Sequence, residues 1–194
     1  MSHISVLLHE TVDALLAERN TGIYVDGTFG RGGHTRLLLS KLDANAKVYG
    51  FDKDPQALET ARQLEQEDSR FEIIHASFAD LKQELAARGI DFVDGVMADL
   101  GVSSPQLDQA ERGFSFMHSG PLDMRMDNSK GPTAAEWLVN IEEEQLANVI
   151  YQYGEERYSR RIAKAIKHAG YIATTGELAE IVKVAHPKWE KNKH

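Results

Sequence analysis

Asp26-Gly27-Thr28-Phe29-Gly30-Arg31-Gly32-Gly33-His34 is a glycine-rich loop set between two segments of different period. Before it runs Ile23-Tyr24-Val25, short and β-branched; after it, His34 to Leu42 carries Leu37, Leu38, Leu39 and Leu42, the buried stripe of a helix. Glycines in such a strand-to-helix loop let the backbone turn tightly and approach a ligand closely, and the helix that follows offers free N–H groups. Alone, the loop supports any nucleotide-like ligand, with a tight turn that holds nothing as the lesser alternative.

Asp52 narrows the choice. It closes a second run, Lys47-Val48-Tyr49-Gly50-Phe51, roughly 20 residues after the loop, where an acidic side chain accepts hydrogen bonds from both ribose hydroxyls. Its other reading is an N-terminal helix cap, a role that Asp54, followed by Pro55, already fills. The spacing then bears on the cofactor. A dinucleotide fingerprint runs G-x-G-x-x-G around a pyrophosphate, whereas here Gly27, Gly30, Gly32 and Gly33 follow an acidic residue that repels pyrophosphate but can meet the amino group of a methionine moiety. S-adenosylmethionine fits better than NAD.

Two further runs complete a pattern of alternating strands and helices, which predicts an α/β fold with a parallel sheet of about four strands. Phe71-Glu72-Ile73-Ile74-His75 is the third, and Gly95-Val96-Met97-Ala98, ending in Asp99, is the fourth. The helices between them carry Ala57, Leu58, Ala61 and Leu64, then Leu81 and Leu85 in a segment from Ala79 to Arg88 that stops at Gly89. Asp99-Leu100-Gly101-Val102-Ser103-Ser104-Pro105-Gln106 falls where open α/β sheets bind ligands. Asp99 is the candidate catalytic residue: it either holds the cofactor's amino group or accepts a hydrogen bond from a target amine, and capping by Asp99 or Ser103 is the plainer alternative.

From about residue 105 the strand signals fade, so a cofactor-binding domain over 1–104 and a helical, substrate-handling domain over 105–194 are expected. Thr133-Ala134-Ala135-Glu136 and Thr174-Thr175-Gly176-Glu177 fit capping boxes, and Leu146, Val149, Ile150 and Tyr153 mark a helix that can end at Gly154. Gly113 to Asp127 is rich in Phe and Met; it suits a loop over a cofactor, a surface for base stacking, or an apolar seal between the helices and the sheet. Arg157, Arg160, Arg161, Lys164, Lys167 and His168 recur at helical spacing opposite Tyr158, Ile162, Ala165 and Ile166. The net charge of −8 speaks against nucleic acid, yet residues 151–194 are the one basic region of an acidic chain. A phosphate-binding face and a merely solvated one are both open.

Composition excludes several classes. With 194 residues and 42% hydrophobic content, general disorder is excluded. Cysteine is absent, so disulfide frameworks, cysteine-ligated zinc, iron–sulfur clusters and thiolate nucleophiles are excluded, including the thiol normally needed to methylate pyrimidine carbon 5. If the protein methylates a base, the target is instead an atom with its own nucleophilic lone pair, such as an exocyclic nitrogen or a hydroxyl oxygen. The eight histidines show no metal-ligand spacing, so no metal is inferred. No run approaches the roughly 20 apolar residues of a membrane span, and Met1-Ser2-His3-Ile4-Ser5 lacks a signal peptide's basic start, which places the protein in the cytoplasm.

Taken together, Tyr24 to His34, Asp99 to Gln106, Ala110-Glu111-Arg112-Gly113-Phe114-Ser115-Phe116, Gly120 to Asp127 and Tyr153-Gly154-Glu155-Glu156-Arg157 closely resemble the bacterial ribosomal RNA small-subunit methyltransferase H family, also called MraW, over essentially the whole chain. The resemblance implies a Rossmann-like class I methyltransferase sheet with an α-helical insertion domain, and methyl transfer from S-adenosylmethionine to the exocyclic N4 of a cytidine in small-subunit ribosomal RNA. It implies that Gly32, Gly33, His34, Asp52, Phe78, Asp99 and Gln106 contact the cofactor, beside Gly30 of the loop. Arg157, Arg160, Arg161 and Lys164 would then face ribosomal RNA or the small ribosomal subunit. Members of that family continue past the position of His194, so a shortened form is expected. Its four-stranded sheet would leave the Asp99 strand at an open edge, with weak cofactor binding, self-association or lost activity as consequences. A methyltransferase of another substrate, an NAD-dependent oxidoreductase and a non-catalytic RNA-binding module are the competing readings.

Overall fold

A computed structural model describes residues 6–187. The chain divides into two compact units, Met1–Gly101 and Val102–His194. The first unit is a Rossmann-like α/β fold whose four strands are β1 (Ile23–Asp26), β2 (Lys47–Asp52), β3 (Phe71–His75) and β4 (Gly95–Met97). All pairings are parallel and the order is β3-β2-β1-β4. The chain thus steps from β1 to β2 to β3 in one direction, then crosses to the other side of β1 for β4. That reversal makes a topological switch point between β1 and β4, the place where open parallel sheets form a crevice at their carboxyl ends.

Helices α1 (Leu8–Leu16), α2 (Gly33–Lys41), α3 (Pro55–Glu67) and α4 (Leu81–Ala86) surround this sheet. Successive strand residues point to opposite faces, and both are covered, as a parallel sheet requires. On one face Tyr24, Val48 and Phe71 pack with Val12 and Leu16 of α1, Leu38 and Leu39 of α2, and Ala57, Ala61 and Leu64 of α3. On the other, Val25, Phe51 and Ile74 pack with Leu85 of α4. Strand β4 lies at the sheet edge, and its Val96 is half exposed.

The local signals hold where they are chemical. Asp54 caps α3 by accepting from the Gln56 N–H, with Pro55 in the first turn. The segment read as one helix from Ala79 instead opens as a 3-10 turn over Phe78–Asp80, because Ser77 accepts from the Ala79 N–H and tightens the start. Helix α1 has no such marker: its N-cap, Leu7, is left-handed and caps with no side chain.

The second unit is helical, built from α5 (Ser104–Asp108), α6 (Ala134–Asn140), α7 (Glu143–Gly154), α8 (Ser159–Ala169) and α9 (Thr175–Ala185). Both expected capping boxes form, at Thr133 with Glu136 and at Thr174 with Glu177. Helix α7 does run to Gly154, but the left-handed residue after it is Glu155, at φ 51°. Leu122, Leu138, Leu146, Ile162, Ile166 and Ile172 form the core of this unit. Among the described residues no helix is long and apolar enough to cross a membrane.

Lys167, which the spacing placed on the basic stripe, turns away from it. Its ammonium donates to the carbonyls of Leu138, Val139 and Ile141 at 2.9, 2.9 and 2.7 Å, closing the open C-terminal end of α6. Lys167→Met keeps the apolar stem and leaves three carbonyls without this donor, so the chain loses about 1–3 kcal/mol of stability. A urea unfolding midpoint unchanged by that substitution would remove Lys167 from the helix packing.

A second polar anchor holds the segment before α6. Arg112, 3% exposed, donates to the carbonyls of Arg125 and Met126, and Arg125 grips Asp123 through two hydrogen bonds. Asp127 accepts from the Ser129 hydroxyl and pairs with Lys130 at 3.0 Å, the hydroxyl having the larger effect, and its carboxyl is held down to about 2. An unfolded aspartate protonates near ~3.9, so the folded state keeps this charge where the unfolded chain has lost it. The resulting stabilisation is present above about pH 4 and is lost as the pH falls towards 2. Asp127→Asn therefore flattens stability between those pH values, measured as thermal midpoint against pH; an unchanged acid limb contradicts this.

Candidate functional site

The carboxyl ends of the strands carry a row of acids: Asp26 ends β1, Asp52 ends β2, and Asp99 stands two residues beyond β4. Between them lies the glycine loop. Gly27 donates its N–H to the Met97 carbonyl at 2.8 Å, and Phe29 donates to the Phe51 carbonyl at 2.9 Å, so the loop is stitched to β4 on one side and β2 on the other. Phe29 is buried and stacks on Phe71 with ring centroids 5.2 Å apart. The glycines are needed where they stand. Gly30 and Gly32 adopt φ of +58° and +75°, and a Cβ at Gly32 would meet the Phe29 ring at 2.6 Å.

Each acid has its own setting. The Asp26 carboxylate is 3% exposed and spends both oxygens internally. Oδ2 accepts from the Thr35 hydroxyl at 2.7 Å, and Oδ1 accepts from the Thr28 N–H at 3.1 Å. Burial pushes its carboxyl above the ordinary range, against the pull of those two hydrogen bonds. Because it is almost fully buried, Asp26 anchors the loop instead of greeting a ligand's amino group, contrary to the reading from sequence. Asp52 is half buried. Its Oδ2 accepts from the Gly30 N–H at 2.7 Å and its Oδ1 from the Asp54 N–H at 2.9 Å, and each oxygen keeps a second lone pair. Asp99 is exposed, and its backbone N–H donates to the Thr28 hydroxyl at 2.7 Å. Among the described residues none of the three acids has a salt bridge.

Gly30, Gly32, Gly33, His34, Asp52 and Asp99 thus all lie on or beside this loop within the first unit. Phe78 joins them, since the space beside the Gly27 Cα is bounded by the Phe78 Cβ and the Met97 carbonyl, each 3.3 Å from a Cβ placed there. Its ring is 44% exposed, an unusual setting for a phenylalanine beside buried backbone. His34, in the first turn of α2, has its Nε2 buried with no hydrogen-bond partner among the described residues. A buried ring nitrogen left unpaired costs roughly 1–3 kcal/mol, which a ligand's polar group would recover. These features fit a nucleoside-bearing ligand: an acid for the ribose, a flat aromatic, free N–H groups at a helix start, and an orphaned polar atom.

Gln106 belongs to the second unit and is 5% exposed. Its Oε1 accepts from the Ser103 N–H at 2.9 Å, completing the capping box at the start of α5, which is the plainer role that sequence had given to Ser103. The basic residues lie in the same unit. Arg160, Arg161 and Lys164 are exposed on α8, opposite the buried Ile162, Ala163 and Ile166. Arg157 precedes the helix, with its guanidinium 4.9 Å from the Tyr158 ring centroid. None of the four makes an ion pair among the described residues. Elsewhere the arginines are largely committed: Arg19 to Asp94, Arg36 to Glu67, Arg70 to Asp68, Arg88 to Glu72 and Glu84, and Arg125 to Asp123.

Thr28 and Thr35 went unnoticed in the sequence. A threonine has no signal of its own there, because its partners are set by the folding of β1 against β4 for Thr28 and of α2 against β1 for Thr35.

A family model described as the MraW methylase family matches residues 1–194. Ribosomal RNA small subunit methyltransferase H of Acinetobacter baylyi is 80% identical over 194 residues, all of this chain and 64% of that protein. Its counterpart from Acinetobacter baumannii is 77% identical, covering 63% of that protein, and the one from Psychrobacter is 57% identical over 201 residues, covering 59%. The chain therefore spans somewhat under two thirds of the length of these relatives. A solved rRNA methylase from Streptococcus thermophilus is 29% identical over 43% of this chain and 50% of its own, with a TM-score of 0.35.

Proposed function

Because the chain belongs to the MraW methylase family, we propose that it is a cytoplasmic S-adenosylmethionine-dependent methyltransferase that methylates the exocyclic N4 of a cytidine in small-subunit ribosomal RNA. The observation that carries the reading is the set of unpaired acids round the glycine loop. S-adenosylmethionine brings a sulfonium and an ammonium, which the exposed Asp99 carboxylate beyond β4 attracts, whereas it repels the pyrophosphate of NAD. The missing cysteine supports nitrogen over pyrimidine carbon 5 as the acceptor, since carbon 5 chemistry calls for a thiolate.

When bound, S-adenosylmethionine supplies a methyl group activated by positive sulfur; the C–S bond breaks as the amine lone pair forms the N–C bond, and the nitrogen then sheds a proton. The chain's own residues bind and align. Asp52 accepts from the ribose hydroxyls through the lone pairs that Gly30 and Asp54 leave open. Phe78 would offer its exposed side chain to the adenine, the N–H of Gly33 at the start of α2 would meet the methionine carboxylate while Gly32, its own N–H held by the Phe29 carbonyl, lets the backbone come close, and the buried His34 nitrogen would gain a partner. Asp99 accepts a hydrogen bond from the cofactor's ammonium or from the target amine, holding the nucleophile in line. In the second unit, Arg157, Arg160, Arg161 and Lys164 bind RNA phosphates.

The test is incubation with small-subunit ribosomal RNA, free or as the assembled subunit, and methyl-labelled S-adenosylmethionine, followed by digestion to nucleosides. Label in N4-methylcytidine is the expected product. Label only in another nucleoside, or in protein, overturns the assignment of the acceptor.

A further inference from the structure

We infer that Thr28 is a positioning residue for Asp99, acting through its side-chain oxygen, and that the buried Asp26–Thr35 pair holds Thr28 in place for this task. The inference rests on the proposed role of Asp99 and extends it. The ladder between β1 and β4 ends at the pairing of Asp26 with Met97, with one last backbone bond from the Gly27 N–H to the Met97 carbonyl. Asp99 lies beyond this ladder. Leu100 after it is 71% exposed, and Gly101, at φ +141°, has open space where a side chain would stand. Among the described residues, the hydrogen bond that ties Asp99 to the sheet is the 2.7 Å bond from its N–H to Thr28 Oγ1.

A threonine does here what backbone cannot. The ladder has run out, so the side chain of the next residue along β1 supplies the acceptor for the next donor along β4. Thr28 can do so only if its own backbone is fixed, and it is. Its N–H donates to Asp26 Oδ1, while Thr35, fully buried in the first turn of α2, donates its hydroxyl to Asp26 Oδ2. One buried carboxylate thereby aligns α2 and the loop, and one hydroxyl passes that alignment across the switch point to Asp99, the residue proposed to accept from the cofactor's ammonium or the target amine. The β-branch of threonine limits its rotamers and keeps Oγ1 on target.

The test compares Thr28→Val, which keeps the shape and removes the acceptor, with Thr28→Ser, which keeps the acceptor. The readouts are amide hydrogen exchange at Asp99 by NMR and calorimetric titration with S-adenosylmethionine. In Thr28→Val the Asp99 amide loses its protection while β1 and β2 amides keep theirs, and S-adenosylmethionine affinity falls about tenfold. Thr28→Ser stays within about threefold of the wild type on both counts, since its hydroxyl still accepts. Added to Asp99→Ala, Thr28→Val changes affinity little further, because the two act as one unit. Unaltered Asp99 protection in Thr28→Val overturns the inference, and so does full additivity with Asp99→Ala or a serine variant as impaired as the valine one. A wild-type chain that binds no S-adenosylmethionine counts against the functional reading alone, and the exchange rates still decide whether Thr28 holds Asp99.

Discussion

Asp52→Ala lowers the affinity for S-adenosylmethionine by about a hundredfold or more. The carboxylate has two duties, and both are lost together. It accepts from the Gly30 N–H at 2.7 Å and the Asp54 N–H at 2.9 Å, fixing the loop against the end of β2. Its remaining lone pairs are the ones proposed to accept from the ribose. Hydrogen bonds to a charged acceptor are worth about 1.5–3 kcal/mol each, so losing two ribose contacts alone reaches a hundredfold, before any loosening of Gly30. The asparagine variant separates the duties. Asp52→Asn keeps one oxygen for Gly30 or for the ribose, but its amide group cannot accept at the other position, so it falls between wild type and alanine. The fold survives both changes, because the side chain is not part of either apolar cluster that covers the sheet. Titration calorimetry reads the affinities. An alanine variant within threefold of the wild type would remove Asp52 from the cofactor site.

Joint replacement of Arg157, Arg160, Arg161 and Lys164 by alanine has its effect on RNA and leaves the cofactor alone. Each phosphate neutralised on a single strand contributes about 0.7 to the slope of log affinity against log salt, so four contacts account for a slope change of about 3. At ~0.1 M salt that amounts to two to three orders of magnitude in affinity relative to 1 M. Helix α8 tolerates the change, since its buried residues Ile162, Ala163 and Ile166 are untouched and alanine is the strongest helix former. Lys167 is left in place, because its ammonium closes α6. Filter binding of small-subunit ribosomal RNA across a salt series reads the slope. A slope equal to the wild type's would mean that these cations are only solvated.

The strand ends were legible in the sequence almost to the residue. Val25-Asp26 and Phe51-Asp52 each sit where a buried run meets a polar stop, and parallel strands covered on both faces leave that contrast sharp, whereas β4, at the sheet edge with Val96 half exposed, stops at Met97, one residue short of the Ala98 read from sequence. The capping residues Asp54, Thr133 and Thr174 were legible for a similar reason, because a cap is a local hydrogen bond between residues two or three apart. Helix α1 was not, since its left-handed Leu7 cap writes no polar signature and its Val12 and Leu16 gain meaning only from the sheet they cover.

Long-range choices were hidden for the same physical reason. Lys167 reads as one more cation on a basic face, and only the end of α6, some 26 residues earlier at Ile141, shows why its ammonium turns inward. Asp26 reads as a ligand-facing acid until Thr35 and Thr28 claim both oxygens. Phe78 entered through the family resemblance alone; its place beside Gly27 depends on where the chain emerges from β3. Thr28 and Asp99 are 71 residues apart, and no periodicity links them.

Calorimetric titration of this chain with S-adenosylmethionine, run beside NADH, tests the central claim most directly. The Asp99 carboxylate beyond β4, together with Asp52 and the glycine loop, predicts saturable one-to-one binding of S-adenosylmethionine and no heat from NADH. Binding of NADH, or a folded chain that takes up neither compound, would contradict the reading of this crevice as a methyl donor site.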